Sequence, residues 1–316
     1  MPSQANQPLP EGYRLQNYRI QKLLSSGGFS IVYLAHDEHE DSVAIKEYLP
    51  SSLALRHEGD ALPSIAEENL ATFRYGMKCF FEEGRALARL SHPNVVRVLN
   101  FFRANETVYL VMRYERGRTL QDYIQVRRGA IKENFIRRIF TLALNGLREV
   151  HANKLLHLDL KPANIYIRND HTPVLIDFGA ARQTLTEGGF KLNPMYTPGF
   201  ASPEQYKNRE LLGPWSDMYS IGASMFAAIA GVAPQAADQR LERDRFVPAS
   251  QLFQGRHSDQ LLETIDWCLQ LDHLKRPQSA MALQKVLLRE RDPEIARKRT
   301  FVVNLRGALS KLAKHH

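Results

Sequence analysis

The amino-acid sequence predicts an α+β protein in two parts, a strand-rich N-terminal part with one long helix and a mainly helical C-terminal part. Three observations support this. Short apolar and β-branched runs divided by turn residues lie between 18 and 48 and again between 95 and 112. Leu70, Phe73, Met77, Phe80, Leu87 and Leu90 repeat at helical spacing between them. Beyond residue 130, Phe135, Ile139, Leu142, Leu147 and Val150 form a second helical stripe, and Trp215 to Gly231 is apolar on nearly all sides. A chain of 316 residues is long enough for two cores.

Composition narrows the class. Hydrophobic residues at 44% and charged residues at 24% are ordinary for a soluble globular chain. Met1 to Pro10 carries no apolar run and no basic region, so no secretory signal is expected. Ile221 to Ala230, the longest apolar helical run, is too short to span a bilayer. Two cysteines, Cys79 and Cys268, indicate no disulfide framework and fit a cytoplasmic setting. The net charge of +8 is concentrated at the end, where Arg291 to His316 holds seven Lys/Arg against two Asp/Glu. Val302, Leu305, Leu309 and Leu312 give that basic tail an apolar stripe. A solvated helix packed on the body is the favoured reading, and membrane contact through the tail the less favoured one. Nucleic acid is not an expected partner.

In order along the chain, residues 1–17 are expected to be a flexible leader. Tyr18 to Leu24 and Ile31 to Ala35 are strands joined by Ser25-Ser26-Gly27-Gly28-Phe29-Ser30. Ser42 to Glu47 is a third strand, carrying Lys46. An insertion over about 48–64 is expected to be a loop or small hairpin. Ser64-Ile65-Ala66-Glu67 has the form of a capping box and predicts a helix from Ile65 to Leu90, roughly 39 Å long at 1.5 Å per residue. Val95 to Phe102 and Thr107 to Met112 complete a five-stranded antiparallel sheet. In the second part a helix ends near His151, and strands Asn164 to Ile167 and Val174 to Ile176 flank the turn Asn169-Asp170-His171. Asp159 and Asp177 therefore lie at strand mouths.

The chemistry concentrates in His157-Leu158-Asp159-Leu160-Lys161-Pro162-Ala163-Asn164, followed thirteen residues beyond Asn164 by Asp177-Phe178-Gly179. Two carboxylates, an amide and an ammonium on neighbouring loops can hold a divalent metal between phosphates while one carboxylate receives a hydroxyl proton. With Val43-Ala44-Ile45-Lys46 and Ser202-Pro203-Glu204, these motifs resemble the eukaryotic-type protein kinases over about residues 18–290. The run Glu47-Tyr48-Leu49-Pro50 is most similar to the bacterial eukaryotic-like Ser/Thr kinases.

The resemblance implies a bilobal protein kinase fold, with an N-lobe over 18–112 and a C-lobe over 116–290, and the division of roles general to that class. ATP and Mg²⁺ are the implied cofactors, with Mn²⁺ admitted. Ser25, Ser26, Gly27, Gly28, Phe29 and Ser30 would cover the phosphates, although Ser25 and Ser30 stand where the family has glycine. Val32, Ala44 and Met112 would surround the adenine, and Arg113, Tyr114 and Glu115 would form the hinge. Lys46 would fix the α- and β-phosphates, and Glu83 would fix Lys46; Glu82 points about 100° away around the helix. Asn164 and Asp177 would hold the metal, Asp159 would take the hydroxyl proton, and Lys161 would neutralise the γ-phosphate.

The remaining implications concern control and partners. Asp217 would hold the catalytic loop backbone or simply cap its own helix, Thr197 would shape the substrate groove, and Glu204 would pair with Arg276. Thr184 and Thr186 are candidate phosphosites. Leu158 replaces the arginine that many members use to bind an activation-loop phosphate, so independence of loop phosphorylation is expected. Implied partners are proteins bearing Ser/Thr, the chain itself and a cognate phosphatase. Two rivals remain: a nucleotide-binding pseudokinase scaffold, suggested by the depleted glycine turn, and a small-molecule phosphotransferase.

Overall fold

A computed structural model describes residues 6–127, 130–178 and 196–288. Its strands are β1 (Arg14–Leu15), β2 (Tyr18–Ser26), β3 (Ser30–His36), β4 (Ser42–Tyr48), β5 (Ala54–Leu55), β6 (Ser64–Ile65), β7 (Val98–Ala104), β8 (Thr107–Arg113), β9 (Gly117–Thr119), β10 (Ile165–Arg168) and β11 (Pro173–Leu175). The N-terminal sheet is antiparallel with six strands in the order β1-β2-β3-β4-β8-β7, one more than expected. The extra strand arises because Gln16, at φ 53°, reverses the chain and pairs Leu15 with Tyr18.

The expectation of a flexible leader is corrected over residues 6–17. Leu9 and Leu15 are buried in the sheet's core, 3% and 2% exposed. The Leu9 N–H donates to the Tyr33 hydroxyl at 3.1 Å. Asn6 Nδ2 donates to the Leu49 carbonyl at 3.2 Å, while Asn6 Oδ1 accepts the Arg56 N–H at 2.7 Å. The leader is held because it satisfies groups that the insertion buries.

That insertion folds as the β5–β6 hairpin and delivers Arg56, fully buried, to the equally buried Glu47. Arg56 donates to both Glu47 oxygens, at 2.6 and 2.8 Å, and Tyr33 and Tyr109 each donate to Glu47 at 2.7 Å. Four donors on one carboxylate satisfy a charge that burial alone would penalise heavily. Burial first, and then the Glu47 charge, push both phenols far above their ordinary range.

Helix α1 (Glu67–Leu87) starts and ends inside the expected bounds. Ser64 and Ile65 pair with Leu55 and Ala54 in a strand, so Ser64 cannot cap; the residue at the cap is Ala66, which offers no side-chain bond. Glu67 and Glu68 face the positive end of the helix dipole instead. Phe73, Phe80 and Leu87 are buried on one face, and Gly84 lets the helix approach Leu110 of β8.

The C-terminal part contains α2 (Leu120–Arg127), α3 (Glu133–Ala152), α4 (Pro203–Tyr206), α5 (Pro214–Ala230), α6 (Ala237–Glu242), α7 (Ala249–Leu252), α8 (Asp259–Cys268) and α9 (Ala280–Leu288). As expected, α5 is the buried post: Ser216 to Ile229 are all inaccessible. A Cβ on Gly222 would lie 2.3 Å from Cys268 Cβ, so only glycine permits this crossing of α5 and α8. Among the described residues, no helix is long and apolar enough to cross a membrane.

A second sheet, β11-β10-β9, joins the two parts. The Val96 N–H donates to the Leu175 carbonyl and the Leu175 N–H to the Asn94 carbonyl, both at 2.9 Å. The segment after α1 is thus stitched to the strand that leads into Asp177. Thr184, Thr186 and the basic tail from Arg291 lie outside the described residues.

Candidate active site

A cavity of about 510 Å³ separates the N-terminal sheet from the helical part. Strand period decides what faces it. Val32 on β3 and Lys46 on β4 are cross-strand partners, as are Ala44 on β4 and Met112 on β8. All four line the cavity with Ser25, Glu83, Tyr114, Asn164 and Asp177. With Arg113 and Glu115 of the expected hinge, eleven of the expected residues are thereby brought together.

Ser26, Gly27, Gly28, Phe29 and Ser30 do not line it. Their turn closes on itself through the Gly27 N–H to the Ser30 carbonyl at 3.0 Å. The Gly28 and Phe29 carbonyls accept N–H groups of Ser51 and Leu49, at 2.9 and 3.1 Å, and the Phe29 ring meets Tyr48 edge-on at 5.2 Å. The segment after β4 therefore draws this turn back against the sheet. Conversely, Thr119, Ala163 and Tyr166 line the cavity without having been anticipated. Tyr166 carried a usable signal, because it lies between Ile165 and Ile167 in β10, whose side chains are buried on the opposite face.

The buried Lys46 ammonium pairs with Asp177 and lies 5.4 Å from the centre of the Phe80 ring. Glu83, the carboxylate expected to fix Lys46, lines the same cavity. Asp177 adopts φ 59°, and this turn brings its carboxylate across the cleft to the ammonium.

Asp159 and Lys161 lie on the loop before β10. Lys161 Nζ bonds both Asp159 oxygens, at 3.1 and 3.0 Å, and donates to Thr197 Oγ1 at 2.9 Å. Thr197 in turn donates to Asp159 Oδ1 at 3.3 Å. Asn164 Nδ2 donates to the Asp159 carbonyl at 2.8 Å and to its carboxylate at 3.1 Å, which links this loop to the cavity wall.

Asp217 holds the loop from beneath. Its carboxylate accepts the N–H groups of His157 and Leu158 at 2.9 and 2.8 Å, and His151 Nε2 lies 2.8 Å away. Burial would raise this carboxyl, but the His151 hydrogen bond and charge, with the His157 contacts, outweigh it and hold Asp217 below the usual carboxylate range. Of the two roles foreseen for Asp217, it performs the loop-holding one. Burial pushes His157 below the usual imidazole range. A neutral ring lets Nε2 donate to the Ile176 carbonyl at 3.1 Å while Nδ1 accepts the Asp159 N–H at 3.4 Å. The same ring stacks on Phe178 at 4.2 Å, so His157 touches the backbone on both sides of the site.

Glu204 and Arg276 form the expected pair, bidentate at 2.8 and 3.0 Å, with Ser216 Oγ donating to Glu204 at 2.7 Å. Burial would raise the Glu204 carboxyl, yet the Arg276 bonds and charge hold it below its ordinary range.

The donor set fits a hard divalent ion. Asn164 spends its amide nitrogen on Asp159, which leaves its oxygen, together with the Asp177 carboxylate, as protein ligands. Among the described residues, no three His, Cys, Asp or Glu side chains gather as a metal site. An ion here would need oxygens from a phosphate to complete its shell, as Mg²⁺ does at nucleotide sites.

Comparison with known proteins agrees with this geometry. A family model described as protein kinase domain matches residues 18–288. The chain is 30% identical over 222 residues to maternal embryonic leucine zipper kinase of Danio rerio, covering 70% of this chain and 30% of that protein. It is 30% identical over 234 residues to serine/threonine-protein kinase pkn3 of Myxococcus xanthus, covering 70% and 39%. These matches span less than two fifths of the relatives' own lengths. Among solved structures, PpkA-294 in its apo form superposes with a TM-score of 0.80 at 36% identity, covering 89% of this chain and 99% of that one. The PknI kinase domain of Mycobacterium tuberculosis superposes at 0.66 with 20% identity, covering 89% and 98%, a likeness of fold.

Proposed function

This chain belongs to the protein kinase family, and from that premise we propose that it transfers the γ-phosphoryl group of ATP to serine or threonine hydroxyls of proteins, itself included. One observation carries the reading. Asp159, Lys161 and Asn164 form a single hydrogen-bonded loop beside a cavity of nucleotide size that ends at Lys46 and Asp177.

In-line phosphoryl transfer asks mainly for positioning and neutralised charge. The apolar wall of Val32, Ala44 and Met112 takes the base, and the segment Arg113 to Glu115 meets its edge. Lys46, beside the Phe80 ring and paired with Asp177, is the ammonium for the α- and β-phosphates. Asn164 and Asp177 would hold Mg²⁺, which would supply neutralising charge to the phosphates. Asp159 orients the acceptor hydroxyl and takes its proton, and Lys161 balances the γ-phosphate. Lys161, two residues beyond Asp159, resembles the pattern of Ser/Thr-directed family members, which supports an aliphatic hydroxyl as acceptor.

Leu158 offers no charge to a phosphorylated threonine, so we propose an enzyme that works without activation-loop phosphorylation. Phosphatase-treated protein and a Thr184→Ala/Thr186→Ala variant should keep most of the activity; loss in either rejects this. The direct test of the function is labelled phosphate incorporation from MgATP into a protein acceptor. Asp159→Ala should abolish it while MgADP binding persists. Incorporation unchanged in Asp159→Ala, or in Lys46→Met, rules the mechanism out.

A further inference from the structure

Glu115 brings a carboxylate to the wall of the cavity at the segment proposed to meet the base. It has two conceivable uses, as a ligand for the nucleotide or as an anchor for the wall. Its geometry favours the anchor. Arg168, the last residue of β10, grips it with Nε and Nη2 at 2.7 Å each, a parallel fork that occupies both carboxylate oxygens. Both side chains are largely sheltered, 21% and 13% exposed. The Glu115 hydrogen bond raises the Arg168 guanidinium further above its ordinary range.

The third arm of Arg168 goes elsewhere. Nη1 donates to the Pro93 carbonyl at 2.9 Å. Pro93 precedes Asn94, whose carbonyl and amide hold Leu175 and Pro173 of β11. One guanidinium therefore joins the wall beside Glu115, the turn that follows α1, and the strand pair that carries Asn164 at one end and leads to Asp177 at the other. Backbone around the contact is equally tight. A Cβ on Gly117 would lie 2.0 Å from the Ile167 carbonyl oxygen, and the Asn169 N–H donates to the Arg116 carbonyl at 3.1 Å.

We infer that Arg168 is a positioning residue for nucleotide binding, acting through Glu115 to set the base-contacting segment against the phosphate-binding end. This rests on the reading of the cavity as a nucleotide site. Adenosine and magnesium tripolyphosphate probe the two ends separately. The experiment measures binding of each, by calorimetry on the full chain, for wild type, Glu115→Gln, Arg168→Met and the double variant, at a temperature where circular dichroism shows all four folded. Arg168→Met should weaken adenosine about tenfold, the scale of one hydrogen bond to a charged group, and leave tripolyphosphate within twofold. The double variant should be no weaker than the poorer single one, because both mutations break one contact. Unchanged adenosine affinity in Arg168→Met, or equal losses for both ligands, overturns the inference. If wild type binds neither MgADP nor adenosine, the nucleotide reading fails first and takes this proposal with it.

Discussion

The Asp217 carboxylate accepts the Leu158 N–H at 2.8 Å, and Leu158 stands at φ 59°, a left-handed conformation that a leucine adopts only when its surroundings enforce it. The turn that presents Asp159 is therefore held by a buried charge at the start of α5. Asp217→Asn keeps the shape but places an amide where two N–H donors converge. It should lower kcat by roughly 100-fold, the scale of a misplaced catalytic group, with the KM for ATP little changed. Steady-state kinetics decide this, and a kcat within threefold of wild type refutes it.

Acid should weaken the fold through the same carboxylate and through Glu204. Both are held below their ordinary range in the folded chain. Their contribution is therefore complete above the unfolded pKa of about 4 and is lost as pH falls through the lower folded values. Urea midpoints should fall steeply below about pH 4, and less steeply in Glu204→Gln.

Glu204 and Arg276 are 4% and 2% exposed, so removal of either leaves the other charged, buried and without its fork. Glu204→Ala should cost about 3–5 kcal/mol. Equal melting temperatures for the variant and wild type would dismiss the pair as a stabilising element.

Tyr48 is wholly buried among Phe29, Phe73 and Phe80, and among the described residues its hydroxyl has no hydrogen-bond partner. An unsatisfied buried hydroxyl costs on the order of 1 kcal/mol or more. Tyr48→Phe should therefore raise the thermal midpoint. A lower midpoint would show that the hydroxyl contributes.

Arg56→Met removes two donors from Glu47 and the clip on the Gln7 carbonyl at 2.8 Å. A loss of about 3–5 kcal/mol in urea unfolding is expected, for the same reason as at Glu204. A change below 1 kcal/mol would argue that the network is dispensable.

What could be read from the chain alone divides along a physical line. Asp159, Lys161, Asn164, Asp177 and Lys46 could be grouped, and Glu204 matched with Arg276, because the motifs that carry them resemble those of the protein kinases. The buried post from Pro214 to Ala230 was legible because it is apolar on every side. Ser64 was misread as a cap because the local pattern cannot show that Leu55 pairs with it across nine residues. The leader looked polar and loose because Asn6 finds its partners only once Arg56 is buried. Glu115 and Arg168 lie more than fifty residues apart and share no motif, so nothing in the chain announced their fork. The Lys46–Asp177 pair was not foreseen, because a positive φ at Asp177 leaves no mark in local spacing.

The family match begins at Tyr18, yet the folded body begins at least twelve residues earlier, at Asn6. A truncation at the homology boundary would leave a pit where Leu9 and Leu15 sit, strip the outer strand of the sheet, and expose the Glu47 network to water from behind the strand that bears Lys46. Shortened versions of this molecule would then be misjudged as feeble catalysts, their fault lying in a missing buttress rather than in the chemistry.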